Sequence, residues 1–104
     1  MKKRIIIAVI IALVSIVLVS AQGKILLGFS HVSMNNPYYL AMEKAAKDTA
    51  AARGAEIVVL NAEEDVSKQI SDIESLLVMG VKGLIVNSTT EYGTMPVIKK
   101  AKAM

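Results

Sequence analysis

Two short polar segments contain the side chains best suited to binding or chemistry. They are Asn35-Asn36-Pro37-Tyr38-Tyr39 and Asn87-Ser88-Thr89, and all their side chains are neutral at pH 7. A side-chain amide supplies two hydrogen-bond donors and an acceptor with two lone pairs. Tyrosine adds a flat apolar face with a polar tip. These groups suit a neutral, hydroxyl-rich ligand such as a sugar. Neither segment contains a carboxylate or a lysine, which disfavours acid–base catalysis.

Three strands and three helices are predicted to position these segments. The short apolar stretches typical of buried strands are Lys24–His31, Ala55–Asn61 and Gly83–Asn87. Helices are predicted at Pro37–Arg53 with Gly54 after it and from the candidate N-cap Asp65 to Gly80. A third helix is predicted after the Ser88–Thr90 loop and runs to Met104, with Pro96 in its early turns. In the second helix, the apolar stripe is Val66, Ile70, Ile73 and Leu77.

The order of these elements predicts the fold and the place of the site. Alternation βαβαβα with short connections indicates an α/β, doubly wound parallel sheet with helices on both faces. Strand 1 is expected between strands 2 and 3, in the order 2-1-3. Ligands of such sheets bind outside the carboxyl ends of the strands, where the winding direction reverses. Val32–Tyr39 and Asn87–Thr90 meet there, so a binding site is predicted between them.

The same residues also have purely structural interpretations. Asn36 precedes Pro37 and could simply cap the helix. One of the two tyrosines is expected to pack in the core, because adjacent helical positions face different directions. Asn87 could satisfy nearby backbone groups, as asparagine does in turns. The single histidine, His31, is interpreted as a packed neutral residue rather than a ligand or a base.

The N-terminal segment has a different character from the rest of the chain. Residues 1–21 contain three cations and no acid. They include a 15-residue apolar stretch, Ile5–Val19, that is interrupted only by Ser15. A cationic head, an apolar stretch and small residues before Ala21 are typical of a secretory signal peptide. Removing three of the 12 cations leaves nine, equal to the nine acids. The basic charge therefore belongs to the leader and indicates no nucleic-acid surface, and residues 22–104 form one small domain.

Several kinds of chemistry are excluded by composition and motifs. The chain has no cysteine and one histidine, so disulfides, thiol nucleophiles and multi-histidine metal sites are absent. The dinucleotide fingerprint, the Walker A motif and the G-x-S-x-G motif are absent too. Glu63-Glu64-Asp65 is interpreted as a complement to a helix macrodipole rather than a metal cluster. The sequence thus predicts no enzyme activity, cofactor or metal.

From Lys24 to Met104 the sequence resembles the N-terminal part of periplasmic sugar-binding proteins of the ribose-binding type, which serve ABC importers. The similarity lies in Asn35–Tyr39, in Asp65–Gly80 with its Lys68-Gln69 and Ile73-Glu74 pairs, in Gly80–Asn87 and in Pro96–Ala101. The resemblance implies a two-lobed, hinged protein that closes on one neutral monosaccharide. It implies ligand contacts by Asn36, Tyr38, Tyr39 and Asn87.

The resemblance also implies partners and a location. The expected partners are a neutral sugar and an ABC permease in the membrane, without nucleic acid, and the complete protein is expected to be a periplasmic monomer. Relatives often have phenylalanine at the aromatic pair, and Val32 replaces a polar residue of the ribose binder, so the sugar is left open. Repressors of the lactose-repressor class share the lobe but begin with a DNA-binding motif, where this chain has a leader.

Three hypotheses remain at this point, and the importer component is the first of them. The chain is shorter than family members and stops before a fourth strand, so we expect a truncated N-terminal lobe that forms half of a cleft. A sensory module that presents its ligand to a chemoreceptor or kinase is one alternative to the importer component. A membrane-anchored α/β fragment without a ligand, retaining residues 1–21, is the other.

Overall fold

A three-stranded parallel sheet forms the centre of the computed structural model, which describes residues 23–104. β1 (Leu26–His31) lies between β2 (Glu56–Asn61) and β3 (Gly83–Val86). Leu27 pairs with Ile57 on one side and with Gly83 on the other. The predicted strand order 2-1-3 is therefore confirmed. The predicted signal peptide lies outside the described residues.

Three helices alternate with the strands and cover both faces of the sheet. They are α1 (Pro37–Ala52), α2 (Val66–Val78) and α3 (Met95–Lys102). Because paired residues of parallel strands point to the same face, Leu27, Ile57 and Ile85 share the face that α1 covers. Gly28 lies on the other face, beneath Leu76 of α2. α3 packs beside α2 on that second face.

The ends of the helices follow from local sequence. Gly54 and Gly80 have φ angles of 72° and 80°, a left-handed conformation that glycine adopts without strain. Each follows a helix, as predicted. Asp65 is the N-cap of α2, because its Oδ1 accepts a hydrogen bond from the backbone N–H of Lys68 at 2.8 Å.

The observed elements are one to two residues shorter than the predicted ones at several ends. α1 ends at Ala52 with Arg53 as its C-cap, and α3 ends at Lys102 with Ala103 as its C-cap. β3 ends at Val86, one residue before the predicted end at Asn87. α3 begins at Met95, with Pro96 in its first turn, where the missing N–H of proline would have no helical partner.

The buried face of α2 is rotated relative to the predicted apolar stripe. Gln69, Ile73 and Leu76 are completely buried, whereas Val66 and Ile70 are half-buried. The spacing of four and three residues is that of one helix face. A polar residue, Gln69, therefore belongs to the buried face of α2, although the predicted stripe consisted of apolar residues alone.

The α1 face of the sheet is covered only in part. A hollow of about 550 Å³ lies between α1 and the sheet, lined mainly by alkyl groups that include Leu27, Ala46 and Ile85. Ile85 of β3 is 46% exposed. None of the predicted binding residues lines this hollow. No helix within residues 23–104 has the length and apolar character needed to cross a membrane.

Candidate functional site

The two polar segments of the predicted site leave the sheet at the same edge. β1 and β3 are adjacent and parallel, so the segments after His31 and after Val86 both begin at the carboxyl edge. The backbone N–H of Asn87 donates to the carbonyl oxygen of Ser30 at 2.9 Å. This hydrogen bond continues the pairing with β1 beyond β3 and anchors the start of the second segment.

Asn36 is the N-cap of α1. Its Oδ1 accepts a hydrogen bond from the backbone N–H of Tyr38 at 2.9 Å, and Pro37 occupies the first turn of the helix. The structural interpretation of Asn36 is therefore confirmed. The cap uses the oxygen of the amide, and the two N–H donors on Nδ2 remain on the exposed side chain. A capping role and a ligand-binding role are thus compatible in one residue.

The two tyrosines have different environments, as expected for adjacent helical positions. Tyr38 is 65% exposed, whereas Tyr39 is half-buried. Their ring centroids are 5.7 Å apart with the rings inclined at 63°, an edge-to-face arrangement. Tyr39 packs against the core through His31, with ring centroids 5.1 Å apart. Tyr38 keeps a free aromatic surface at the start of α1.

His31 is a packed residue beneath the first segment. It is completely buried and stacks on Phe29 with a centroid distance of 4.7 Å. Its Nε2 lies 3.1 Å from the carbonyl oxygen of Tyr39, and since a carbonyl only accepts, Nε2 is the donor. Nδ1 is buried without a hydrogen-bond partner among residues 23–104. The interpretation of His31 as part of the packing agrees with this environment.

The side chain of Asn87 contacts the helix that begins within the first segment. Its Nδ2 lies 3.8 Å from Sδ of Met42, a weak acceptor in the second turn of α1. Met42 follows Tyr39 by three residues, and residues at this spacing share a helix face. The structure therefore brings Asn87 to the first turns of α1, the region of Asn36, Tyr38 and Tyr39. The role of these four residues as ligand contacts stays a prediction.

Gln69 is a neighbour of this site that sequence reasoning missed. From α2, its Nε2 donates to the carbonyl oxygen of Asn87 at 2.8 Å. Its Oε1 accepts from the backbone N–H of Thr89 at 2.8 Å and from the Thr89 hydroxyl at 3.0 Å. The only sequence feature that could have indicated this role is the position of Gln69, directly before Ile70 of the apolar helical stripe. Such a residue is ordinarily assigned to the solvent-facing side.

Further along, the segment after β3 is stabilised by its own side chains. The hydroxyl of Ser88 lies 2.8 Å from that of Thr94, which is buried. The hydroxyl of Thr90 accepts from the backbone N–H of Gly93 at 2.8 Å. A Cβ on Gly93 would lie 2.7 Å from Val66, so only glycine permits this close approach. The loop is therefore ordered before α3 begins.

The site offers hydrogen bonds and an aromatic surface rather than reactive groups. Its predicted members are two amides and two tyrosines, without a neighbouring acid, base or nucleophile among them. In residues 23–104, His and acidic side chains form no group of three or more that could hold a metal ion. This chemistry suits non-covalent recognition of a neutral polar ligand.

A family model of the periplasmic binding protein domain matches residues 27–104. The chain belongs to the periplasmic binding protein family. Within this family, it is 32% identical over 78 residues to the ribose import binding protein of Bacillus subtilis (strain 168). That match covers 75% of this chain and 26% of the relative. This periplasmic binding protein chain thus spans about a quarter of the length of that relative.

Solved structures of periplasmic binding proteins have the same arrangement. An ABC transporter solute binding protein from Mycobacterium smegmatis with bound glycerol superposes with a TM-score of 0.73 and is 33% identical, over 78% of this chain and 28% of its own. The periplasmic binding protein of the arabinose ABC transporter from Shewanella, bound to L-arabinofuranose, gives a TM-score of 0.69 at 29% identity. That match covers 75% of this chain and 26% of the other.

Proposed function

We propose that the protein is the sugar-binding component of an ABC importer. It binds a neutral monosaccharide non-covalently, without catalysis, in a cleft between two lobes, and residues 22–104 supply part of the first lobe. The ligand contacts on this lobe are Asn36, Tyr38, Tyr39 and Asn87. Family membership supports the binding role, and the names of the matched relatives support a sugar and an ABC permease as partners.

The observation that most supports this proposal is the contact of Asn87 with α1, the helix that begins within the first polar segment. Asn87 reaches Met42 in α1, at the same edge of the sheet as Asn36. Two amides and an exposed aromatic ring then form one wall with donors, acceptors and an apolar face. A sugar presents hydroxyl groups that both donate and accept, together with apolar C–H surface. Its recognition requires this mixture and needs no charge.

The proposed wall is open to solvent, so affinity depends on closure. Asn36 and Tyr38 are exposed on this lobe. Hydrogen bonds exposed to water contribute little net free energy, because water competes for the same groups. A second lobe that closes over the ligand would exclude water and add opposing contacts. We therefore propose that tight binding requires the complete two-lobed protein.

The binding proposal is tested with the protein expressed from its complete reading frame without residues 1–21. Thermal unfolding is measured with a panel of pentoses, hexoses and polyols, and calorimetry then gives the Kd of each ligand that raises Tm. At a ligand concentration 100 times Kd, the expected stabilisation is about 2.7 kcal/mol. A panel of amino acids serves as the control, because these ligands are charged and are not expected to bind. The absence of a shift with every sugar and polyol, or a shift with an amino acid instead, contradicts the proposal.

Export is proposed on the basis of the N-terminal sequence. The cationic head and apolar stretch of residues 1–21 predict cleavage after Ala21 and release into the periplasm. Cell fractionation followed by N-terminal sequencing of the recovered protein tests this. A mature chain that begins at Gln22 in the periplasmic fraction is the expected result. Full-length protein in the membrane fraction would instead support the anchored alternative.

A further inference from the structure

We propose that Gln69 is a positioning residue for the proposed sugar site, acting through the segment after β3. Its buried amide sets the backbone of Asn87 and Thr89, and thereby aims the Asn87 side chain at the ligand. This inference rests on the proposed function for its ligand and on the hydrogen bonds of α2 for its geometry. Gln69 itself makes no contact with sugar in this proposal.

The three hydrogen bonds of the Gln69 side chain span two elements that are distant in sequence. Nε2 donates to the carbonyl of Asn87, 18 residues later, and Oε1 accepts both the N–H and the hydroxyl of Thr89, 20 residues later. Both lone pairs of Oε1 and one of the two amide hydrogens are used. The side chain thus binds the loop at Asn87 and at Thr89, the residues on either side of Ser88.

Because Gln69 is completely buried, its side-chain amide must find hydrogen-bond partners within the protein. Gln69 has 0% relative exposure, and a buried amide without partners destabilises a fold. Ile73 and Leu76 occupy the same face of α2 and fill their places with alkyl groups. An alkyl side chain at position 69 could fill the same space. The amide is therefore explained by the loop that it binds rather than by packing.

Glutamine matches the groups that this loop presents. The loop offers a carbonyl at residue 87 and an N–H at residue 89, so its partner must both donate and accept. A carboxylate would accept from Thr89 but could not donate to the carbonyl of Asn87. A lysine would donate but could not accept, and a leucine would do neither. An uncharged amide of this length satisfies both groups.

The backbone of Asn87 is held from both sides. Its N–H donates to Ser30 in β1, and its carbonyl accepts from Gln69 in α2. With both peptide groups held, the direction of the Cα–Cβ bond is set, and with it the region that the side-chain amide can reach. That side chain points to Met42 of α1, which covers the opposite face of the sheet from α2. Gln69 therefore acts on the site from behind the sheet.

The test compares Gln69→Leu and Gln69→Glu with Ile73→Val in the protein expressed from its complete reading frame. Ile73→Val is the matched control, since Ile73 is equally buried one turn away in α2 and makes no hydrogen bond to the loop. The Kd of the best sugar found by calorimetry is the readout. Gln69→Leu is expected to weaken binding about tenfold, the loss expected when a preorganising hydrogen bond disappears. Gln69→Glu keeps the volume and the acceptors for Thr89 but loses the donor to the Asn87 carbonyl and buries a carboxylate, so it should weaken sugar binding at least as much as Gln69→Leu.

A double-mutant cycle separates positioning from general destabilisation. If Gln69 acts through Asn87, the Gln69→Leu effect on Kd should shrink to less than about twofold in the Asn87→Ala background. An unchanged tenfold effect in that background would overturn the proposal. Equal sugar affinities in the Gln69 and Ile73 variants would overturn it as well.

Hydrogen exchange of the Thr89 amide keeps this test independent of the sugar. In ligand-free protein, that amide should exchange at least about tenfold faster in Gln69→Leu than in Ile73→Val, because only the former loses its acceptor. Equal exchange rates would contradict the positioning role even if sugar binds. A protein that binds no sugar but shows the faster exchange would refute the proposed function while supporting the role of Gln69 in the loop.

Discussion

The side-chain amide of Asn87 lies against Met42 of α1, with 3.8 Å between Nδ2 and Sδ. The two residues are 45 positions apart in the chain. This contact places the end of β3 beside the first turns of α1, although each belongs to a different strand–helix unit. Thioether sulfur is a weak acceptor, so within residues 23–104 the Asn87 side-chain amide has no strong hydrogen-bond partner. It is available to exchange this contact for a ligand hydroxyl.

Substitution of Asn87 tests this availability. Asn87→Ala is expected to weaken sugar binding by about 1–3 kcal/mol, because a buried ligand hydroxyl loses its partner. Stability should change little, since the backbone bonds of residue 87 do not involve the side chain. Calorimetry and urea unfolding give the two quantities. Asn61→Ala is the control: it lies at the end of β2 and binds the backbone of Glu63, so it should affect stability alone.

The double role of Asn36 is separated by the choice of substitution. Asn36→Ala removes the cap and is expected to lower the free energy of unfolding by about 0.5–2 kcal/mol. Asn36→Ser keeps an oxygen that can accept from Tyr38 but removes both amide donors. It should preserve stability and still weaken sugar binding. Full affinity in Asn36→Ser would remove Asn36 from the site and leave it only the capping role.

Because Tyr38 is exposed and Tyr39 is half-buried, we expect their substitution to affect sugar affinity and stability differently. Tyr38→Ala removes an exposed ring, so we expect a change in unfolding free energy within about 0.5 kcal/mol. Loss of its aromatic surface should weaken sugar binding about tenfold or more. Tyr39→Ala removes a ring that packs on His31 and should lower stability as well as affinity. If Tyr38→Ala leaves the Kd unchanged, its ring does not contact the ligand.

Close packing beneath the sheet gives a prediction for Gly28. A Cβ built on this residue would lie 3.1 Å from Cδ1 of Leu76 and 3.2 Å from Cγ1 of Val81. Gly28→Ala should therefore push the ends of the Leu76 and Val81 side chains aside by a few tenths of an ångström and destabilise the protein by about 1–3 kcal/mol. Urea unfolding measures this effect. Gly23→Ala, with nothing within 4 Å of its built Cβ, is the control. Equal urea midpoints for Gly28→Ala and Gly23→Ala would show that the packing around residue 28 accommodates a methyl group without loss of stability.

The elements of the fold were predictable because their signals are local. Asn36 and Asp65 precede helices and accept hydrogen bonds from N–H groups two or three residues later, while Gly54 and Gly80 adopt left-handed backbone after helices. Short apolar strands alternating with helices then leave few arrangements for a parallel sheet. The order 2-1-3 and the edge at which both polar segments emerge follow from those rules.

Boundaries and burial were predicted less well, for a different reason. The centre of the buried face of α2 depends on where the helix meets the sheet, and a search for apolar residues passes over Gln69. The sequence did not indicate that residue 69 is buried, because the loop groups that satisfy its amide lie 18 and 20 residues away in the chain. Likewise, strand alternation places Phe29 and His31 on one face of β1, but no local pattern indicates that the ring of Tyr39 packs on His31.

The sequence by itself determined the helices, the strands, their order in the sheet and the neutral character of the predicted site. Those properties depend on residue type and on spacing over a few positions. Only the tertiary structure decided that Asn87 meets Met42 and that Gln69 binds the loop from behind. These contacts join residues 18 to 45 positions apart. They form because the packing of two helices on opposite faces of one sheet brings distant groups together, which no local spacing can specify.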